Sequence, residues 1–242
     1  MKAMIFAAGL GTRLKPLTDT LPKALVPIGG KPLLEHVILK LKAAGFDEII
    51  VNVHHFPDLI IQFLKQNNDF GIRIEVSDER EWLLDTGGGV KKAAWFFDDG
   101  KPFLVHNVDI LSNLDLKALY TSHTASDAVA TLVVSQRDTF RYLLFDHQSQ
   151  LQGWVNEKTG ETKPKTFDSI SSFQKLAFSG IQVLSSQVFE LMKPLEAKFP
   201  IMDFYLEQSQ SQIIKAFVPE DYKMLDVGKI DIIDEAEKFL EI

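Results

Sequence analysis

Short apolar runs that alternate with helix-periodic segments leave few folds open to this chain. Residues 2–8 form such a run and end in glycine, as a strand covered on both faces does. Pro32 suits the first turn of a helix, and Leu33, Leu34, Val37, Ile38 and Leu41 then fall on one helical face until Gly45 stops it. Residues 48–53 predict a second strand, 57–66 a helix and 72–76 a third strand, a βαβ rhythm that joins parallel strands through crossover helices. Three glycines within 84–89 open a further predicted helix over 90–97, and 102–106 is apolar enough for a central strand. The second half is richer in hairpin-like alternation. Strands are expected over 128–134, 142–145 and 151–154, then a strand over 175–183, helices over 186–193 and 202–210, a strand over 214–218 and a closing amphipathic helix over 230–240. The expected fold is a three-layer α/β domain over 1–242, its mixed central sheet mostly parallel, with helices on both faces. Neither repeat nor linker divides it.

Charge is distributed unevenly along this framework. Residues 1–42 hold seven Lys or Arg against two acids, a balance of +5 in a chain of net charge −7, so the remainder carries −12. A basic front end on an acidic protein suits a focused site for a small anion. It does not suit a nucleic-acid or anionic-membrane surface, which wants basic charge spread over a face. There is no cysteine, so disulfides and thiolate metal sites are excluded and a reducing compartment is allowed. The apolar segment 4–10 is too short to span a membrane and lacks a cleavage site, which makes the cytoplasm the expected location. Periodicity alone makes no statement about oligomeric state.

The basic excess adjoins a glycine loop. Gly9 and Gly11 let the backbone approach a ligand closely, and amide groups turned inward there can cradle phosphate oxygens. Leu14 replaces the third glycine of a dinucleotide fingerprint, and no Gly-Lys-Ser/Thr follows, so neither that loop nor a Walker loop is present. What remains places a guanidinium, Arg13, and an ammonium, Lys23, on one loop; a tight turn bearing solvated cations is the plainer alternative. Asp109 falls just past the carboxyl end of a predicted central strand, where open α/β sheets place ligands, although an aspartate there also serves as a helix cap. Asp226 precedes the last helix. Two cations on a glycine loop with two carboxylates suit a nucleoside triphosphate bound with Mg²⁺, which takes one or two carboxylates plus phosphate oxygens. The adjacent His54 and His55 lack metal-ligand spacing and are expected in a strand-end loop. The polar stretch 160–172 is expected to be a mobile loop near the site or a surface excursion.

Residues 9–18, GLGTRLKPLT, followed by PKALVPI at 22–28 and KPLLE at 31–35, closely resemble the signature of the sugar-1-phosphate nucleotidyltransferases. TGGG at 86–89, NVD at 107–109, FSGI at 178–181 and DVG at 226–228 look like the later landmarks of that family in the right order. Within it the chain is most similar to the short bacterial enzymes that form UDP-N-acetylmuramate, which would place it in peptidoglycan recycling. The resemblance implies a Rossmann-like nucleotidyltransferase fold without a C-terminal acyltransferase or β-helix extension. It implies displacement at the α-phosphorus of a nucleoside triphosphate, UTP or GTP foremost, by a sugar 1-phosphate, with release of pyrophosphate. Carried over by residue, Gly9 and Gly11 would cradle the nucleotide phosphates and Arg13 would meet the departing pyrophosphate. Lys23 would hold the phosphate under attack, Gly88 would lie against the base, and Asp109 with Asp226 would bind Mg²⁺. Glu157-Lys158 resembles a pair whose lysine contacts the sugar phosphate, with Thr159 where proline usually follows. Two further departures are Val108, where the family has glycine, and Met224-Leu225 in place of a tryptophan. Mannose or heptose 1-phosphate with GTP, and phosphocholine with CTP, are alternatives within the same chemistry. A non-catalytic nucleotide-sugar sensor is the alternative of another class, but a sensor could lose any of Arg13, Lys23, Asp109 and Asp226.

Overall fold

A computed structural model describes residues 1–165, 167 and 170–240. Strand β1 (Lys2–Phe6) is apolar after Lys2 because both of its faces are covered: Ala3 and Ile5 enter one core and Met4 enters another. A small hairpin, β2 (Pro27–Ile28) and β3 (Lys31–Pro32), leads into α1 (Leu33–Ala43). Then come β4 (Glu48–Val53), α2 (Pro57–Gln66), β5 (Arg73–Asp78), α3 (Asp85–Lys92) and β6 (Phe103–Asn107). Strand β7 (Ile110–Ser112) and α4 (Leu116–Thr124) complete the first half.

Strands β5, β4, β1 and β6 lie side by side and parallel, as the βαβ rhythm predicts. The second half then grows antiparallel. It comprises β8 (Ala130–Ser135), β9 (Arg141–Phe145), β10 (Leu151–Asn156), β11 (Glu161–Lys163) and the long β12 (Gln174–Leu184). Helices α5 (Val188–Met192) and α6 (Ile201–Gln208), strands β13 (Ile214–Phe217) and β14 (Met224–Asp226), and α7 (Ile233–Leu240) follow. Strand β12 is antiparallel to β6, β8 and β9, and so joins the parallel half to a β9–β10–β11 extension. The hairpin-like alternation of the second half is this extension.

Three layers result. One core holds Leu34 and Leu41 of α1, Ile60 of α2, Leu119 of α4 and Ala236 of α7; the other holds Val90 of α3, Val188 of α5 and Phe204 of α6. The sheet separates them, with helices on both faces. Among the described residues no helix is long and apolar enough to cross a membrane.

Besides the short strands β2, β3, β7 and β14, which the sequence did not announce, the structure departs from the sequence expectations in four places. Helix α3 begins at Asp85, so the three glycines lie inside it and not ahead of it. Helix α4, capped by the Asp115 carboxylate accepting from the Lys117 and Ala118 amides, occupies a stretch for which no element was expected. The closing helix is a 3₁₀ turn over Ile230–Ile232 followed by α7. Part of the polar stretch 160–172 is strand β11 and part is a 3₁₀ turn over Ile170–Ser172; residues 166, 168 and 169 lie outside the described residues.

Two buried histidines make this fold sensitive to acid. His106 of β6 and His123 of α4 are almost wholly buried, and burial holds both at about 4, below the ordinary 6.5. The unfolded chain therefore takes up protons first as pH falls through 6.5, and stability that is full above that value declines toward pH 4. Each histidine contributes a loss of about 1.4 kcal/mol per pH unit across this window. Denaturant midpoints are expected to fall between pH 6.5 and 5, and a flat profile there would contradict the assignment.

Candidate active site

The carboxyl ends of the parallel strands converge on a cleft of about 490 Å³ lined by Gly9, Gly11, Arg13, Lys23 and Asp109, with Leu83 and Thr86 among the residues opposite. Hydrogen bonds hold its floor. Asn52 of β4 accepts from the Ala7 amide at 2.8 Å and donates to Glu79 Oε1 at 2.8 Å, while Glu79 Oε2 accepts from the Leu84 amide at 3.1 Å. Glu79 is buried, so this chain of bonds ties the end of β1 to the segment after β5. His54 and His55 serve as loop residues, each ring nitrogen meeting a backbone carbonyl, of Glu79 and Thr18 respectively.

The glycine loop is a succession of 3₁₀ turns, Thr12–Leu14, Leu17–Asp19 and Lys23–Leu25. Gly11 takes φ +64°, and a Cβ there would lie 2.8 Å from Thr18, whose hydroxyl donates to the Gly11 carbonyl. Gly9 has no heavy atom within 4 Å of the place a Cβ would occupy, so its backbone is open to a ligand. Lys23 is buried, and its ammonium is ion-paired with the Asp109 carboxylate.

Asp109 and Asp226 are brought together by a pairing that local sequence does not announce. Strand β14 runs antiparallel to β7, Asp226 opposite Ile110, and the Val227 amide donates to the Asp109 carbonyl at 2.8 Å. The Asp226 carboxyl titrates above the ordinary 3.8, chiefly through desolvation and next through the Asp109 charge, with Lys23, Arg13 and Arg137 opposing. Among the described residues no cluster of three or more His, Asp or Glu could hold a metal ion. Two carboxylates that repel each other beside a cleft of open glycine backbone nevertheless match the donor set Mg²⁺ takes when phosphates supply the remaining oxygens.

Arg13 belongs to the same constellation. A Cβ on Gly228 would lie 2.6 Å from Arg13 Nη2 and 2.7 Å from Asp226 Oδ1, so the guanidinium and the carboxylate both rest on this glycine. Both obstructing atoms end flexible side chains. Gly228→Ala is therefore expected to fold normally, with a melting temperature within a few degrees of wild type, but to lose roughly 10²-fold in kcat/KM as Arg13 and Asp226 are displaced. Equal losses of stability and activity would show the glycine to be merely structural.

Gly88 and Lys158 take other places. Gly88 is buried, with the Ala197 carbonyl 2.2 Å from where its Cβ would lie, and it does not line the cleft. The Gly87 and Gly88 amides both donate to the Phe199 carbonyl, so the start of α3 is packed against residues 197–199. Leu83, Asp85 and Thr86 face the cleft instead. Gly88→Ala meets a backbone atom that cannot swing away and is expected to destabilise the fold by about 2–3 kcal/mol in denaturant unfolding. Lys158 is exposed on the β10–β11 turn, its ammonium 5.8 Å from the Phe140 ring centroid, and is not among the residues lining the cleft. Lys198 lines it, as do Asn52 and Asn107. The charge excess of residues 1–42 could not reveal Lys198, which enters from a late loop.

The departures from the family pattern are absorbed locally. Val108 is buried in the core beneath β1, and its amide donates to the Phe6 carbonyl without a left-handed backbone. Met224 and Leu225 pack against the same core.

Comparison with known proteins adds to this geometry. An N-acetylmuramate alpha-1-phosphate uridylyltransferase of Caulobacter vibrioides is 47% identical over 109 residues, covering 44% of this chain and 45% of that relative. A mannose-1-phosphate guanyltransferase of Candida albicans is 31% identical over 234 residues, covering 95% of this chain and 61% of that relative. The chain thus spans about half to three-fifths of these curated relatives, from 45% to 61%. The crystal structure of HddC from Yersinia pseudotuberculosis complexed with GMP-PN superposes with a TM-score of 0.77 at 26% identity, covering 99% of each chain. The family model for nucleotidyl transferases matches residues 2–241, and with the strand order and cleft described above it shows that this chain belongs to the nucleotidyl transferase family.

Proposed function

We propose that this protein transfers a nucleotidyl group from a nucleoside triphosphate to a sugar 1-phosphate, with UTP and N-acetylmuramate 1-phosphate as substrates. The observation that carries the reaction is the convergence of Arg13, Lys23 and Asp109 at one cleft of open glycine backbone, with Asp226 held beside Asp109. Support for the substrates comes from the similarity to the Caulobacter uridylyltransferase.

The chemistry is a direct displacement. An oxygen of the acceptor phosphate attacks the α-phosphorus, and the bond to the pyrophosphate oxygen breaks. The nucleophile is already an anion near neutral pH, so no general base is needed, and the work of the protein is positioning and charge neutralisation. Gly9 and Gly11 let the triphosphate lie against the main chain. Arg13, seated on Gly228, meets the departing pyrophosphate, and Lys23 turns from Asp109 to the α-phosphate when substrate enters. Asp109 and Asp226 would hold Mg²⁺, which when bound supplies positive charge to the nucleotide oxygens.

A guanylyl transfer is the second reading, favoured by the 95% coverage in the Candida alignment and by the GMP-PN complex of HddC. Pyrophosphate release with Mg²⁺ separates the two. UTP, GTP, CTP and dTTP are crossed with the 1-phosphates of N-acetylmuramate, N-acetylglucosamine, glucose, mannose and heptose, and with phosphocholine. The proposal expects UTP with N-acetylmuramate 1-phosphate to exceed every other pair. A GTP preference with mannose or heptose 1-phosphate would transfer the assignment to guanylyl transfer. Silence throughout, with nucleotide still raising the melting temperature, would leave a sensor.

A further inference from the structure

Beside the main cleft lies a second cavity of about 360 Å³. One wall is a face of the antiparallel extension. Leu143, Trp154 and Lys163 stand opposite one another across β9, β10 and β11, and Arg141, two residues from Leu143, lies on the same face. Helix α6 supplies the other wall through Met202, Asp203 and Leu206, and Phe178 of β12 completes the apolar lining. The volume falls within the range of small-ligand sites, and an aromatic and aliphatic floor with a few polar groups is their usual composition.

Its charge is one-sided. The lining holds Arg137, Arg141 and Lys163 against a single carboxylate, Asp203, which pairs with Lys163 at 2.8 Å. Arg137 donates to the neutral Phe178 carbonyl at 3.1 Å, so its charge is not offset by that bond. The Arg141 guanidinium has no hydrogen-bond or ion-pair partner among the described residues; only its backbone amide is bonded, to Thr139. Two unbalanced guanidiniums at the edge of an apolar, ring-sized cavity suit an anion on a sugar ring, and a guanidinium presents paired donors matched to a carboxylate.

The cavity adjoins the reacting groups. Phe178 lines it, and two residues further along β12 a Cβ on Gly180 would lie 2.8 Å from the side chain of Asn107, which lines the main cleft.

Resting on the sugar-phosphate reading above, we propose that Arg137 and Arg141 form a specificity site for a carboxylate on the acceptor, selecting acidic sugar 1-phosphates over neutral ones. The lactyl group makes N-acetylmuramate 1-phosphate such an acceptor, and N-acetylglucosamine 1-phosphate is its counterpart without the carboxylate.

The test compares these two acceptors with wild type, Arg141→Gln and Arg137→Gln, with Lys101→Gln, at the opposite end of β6, as a charge control. Wild type is expected to favour the acidic acceptor in kcat/KM. Each arginine variant is expected to lower the acidic-to-neutral ratio about 10- to 100-fold, chiefly through KM, and the control to leave it unchanged. Equal losses on both acceptors would show that the arginines serve the phosphate common to both and would overturn the proposal, as would a wild-type preference for the neutral sugar. If no acceptor supports turnover, the reaction reading has failed separately, and calorimetric binding of the same two sugar phosphates decides. A preference for the acidic sugar that disappears in Arg141→Gln supports the site, whereas equal affinity for the two refutes it.

Discussion

Asp109→Asn and Asp226→Asn are each expected to lower kcat by roughly 10³-fold while the protein remains folded, the size of effect seen when a group that stabilises developing charge is removed. The two variants should differ in stability. Asp226 is held above its ordinary 3.8 by desolvation and by repulsion from Asp109, so in the metal-free protein its ionised form opposes folding. That penalty is complete above the raised value and vanishes below 3.8, where folded and unfolded chains are both protonated. Because the residue is exposed and its charge screened by solvent, the effect is small: Asp226→Asn should melt at or slightly above the wild-type temperature at neutral pH, and that difference should shrink as pH falls toward 4. Asp109→Asn forfeits the partner of a buried lysine and should melt lower. Near-wild-type turnover in both variants would remove the carboxylate pair from the reaction, and a destabilised Asp226→Asn would show that repulsion does not govern that site.

Lys23→Met is expected to lose activity by roughly 10²- to 10³-fold and, unlike Asp226→Asn, to lose stability as well. Lys23 and Asp109 form an ion pair whose side chains are 10% and 18% exposed, and removing one partner leaves the other desolvated without its counter-charge. The cost is about 2 kcal/mol, below that of a fully buried pair because both groups retain contact with water. A double-mutant cycle with Asp109→Asn isolates the pair: its stability losses should be clearly less than additive, since either substitution already breaks the interaction. Additive losses would mean that the two residues act on stability independently.

The glycines show how local and long-range information divide. Gly11 was legible because a glycine-rich loop after a buried apolar strand has a backbone reason to be there, and the structure gives it a left-handed φ against Thr18. Gly88 packs against protein backbone and does not line the cleft, for an equally physical reason. A run of three glycines signals close approach of something to the main chain, and in this fold that something is the Ala197–Phe199 backbone. Lys158 was suggested by a dipeptide likeness, yet the β10–β11 turn carries it to an exposed position beside Phe140.

Local sequence pattern was enough for the α/β class, the parallel first half and the presence of a basic glycine loop. Continuous apolar runs in strands covered on both faces, helical spacing in α1, and charge composition are properties of neighbouring residues, so they survive in a linear reading. Long-range packing brings Asp109 to Asp226 through the β7–β14 pairing, seats Arg13 on Gly228, and sets Arg137 and Arg141 beside a second cavity. Those relations join segments far apart in the chain, and their geometry is set by strand register and close packing, which no local pattern encodes.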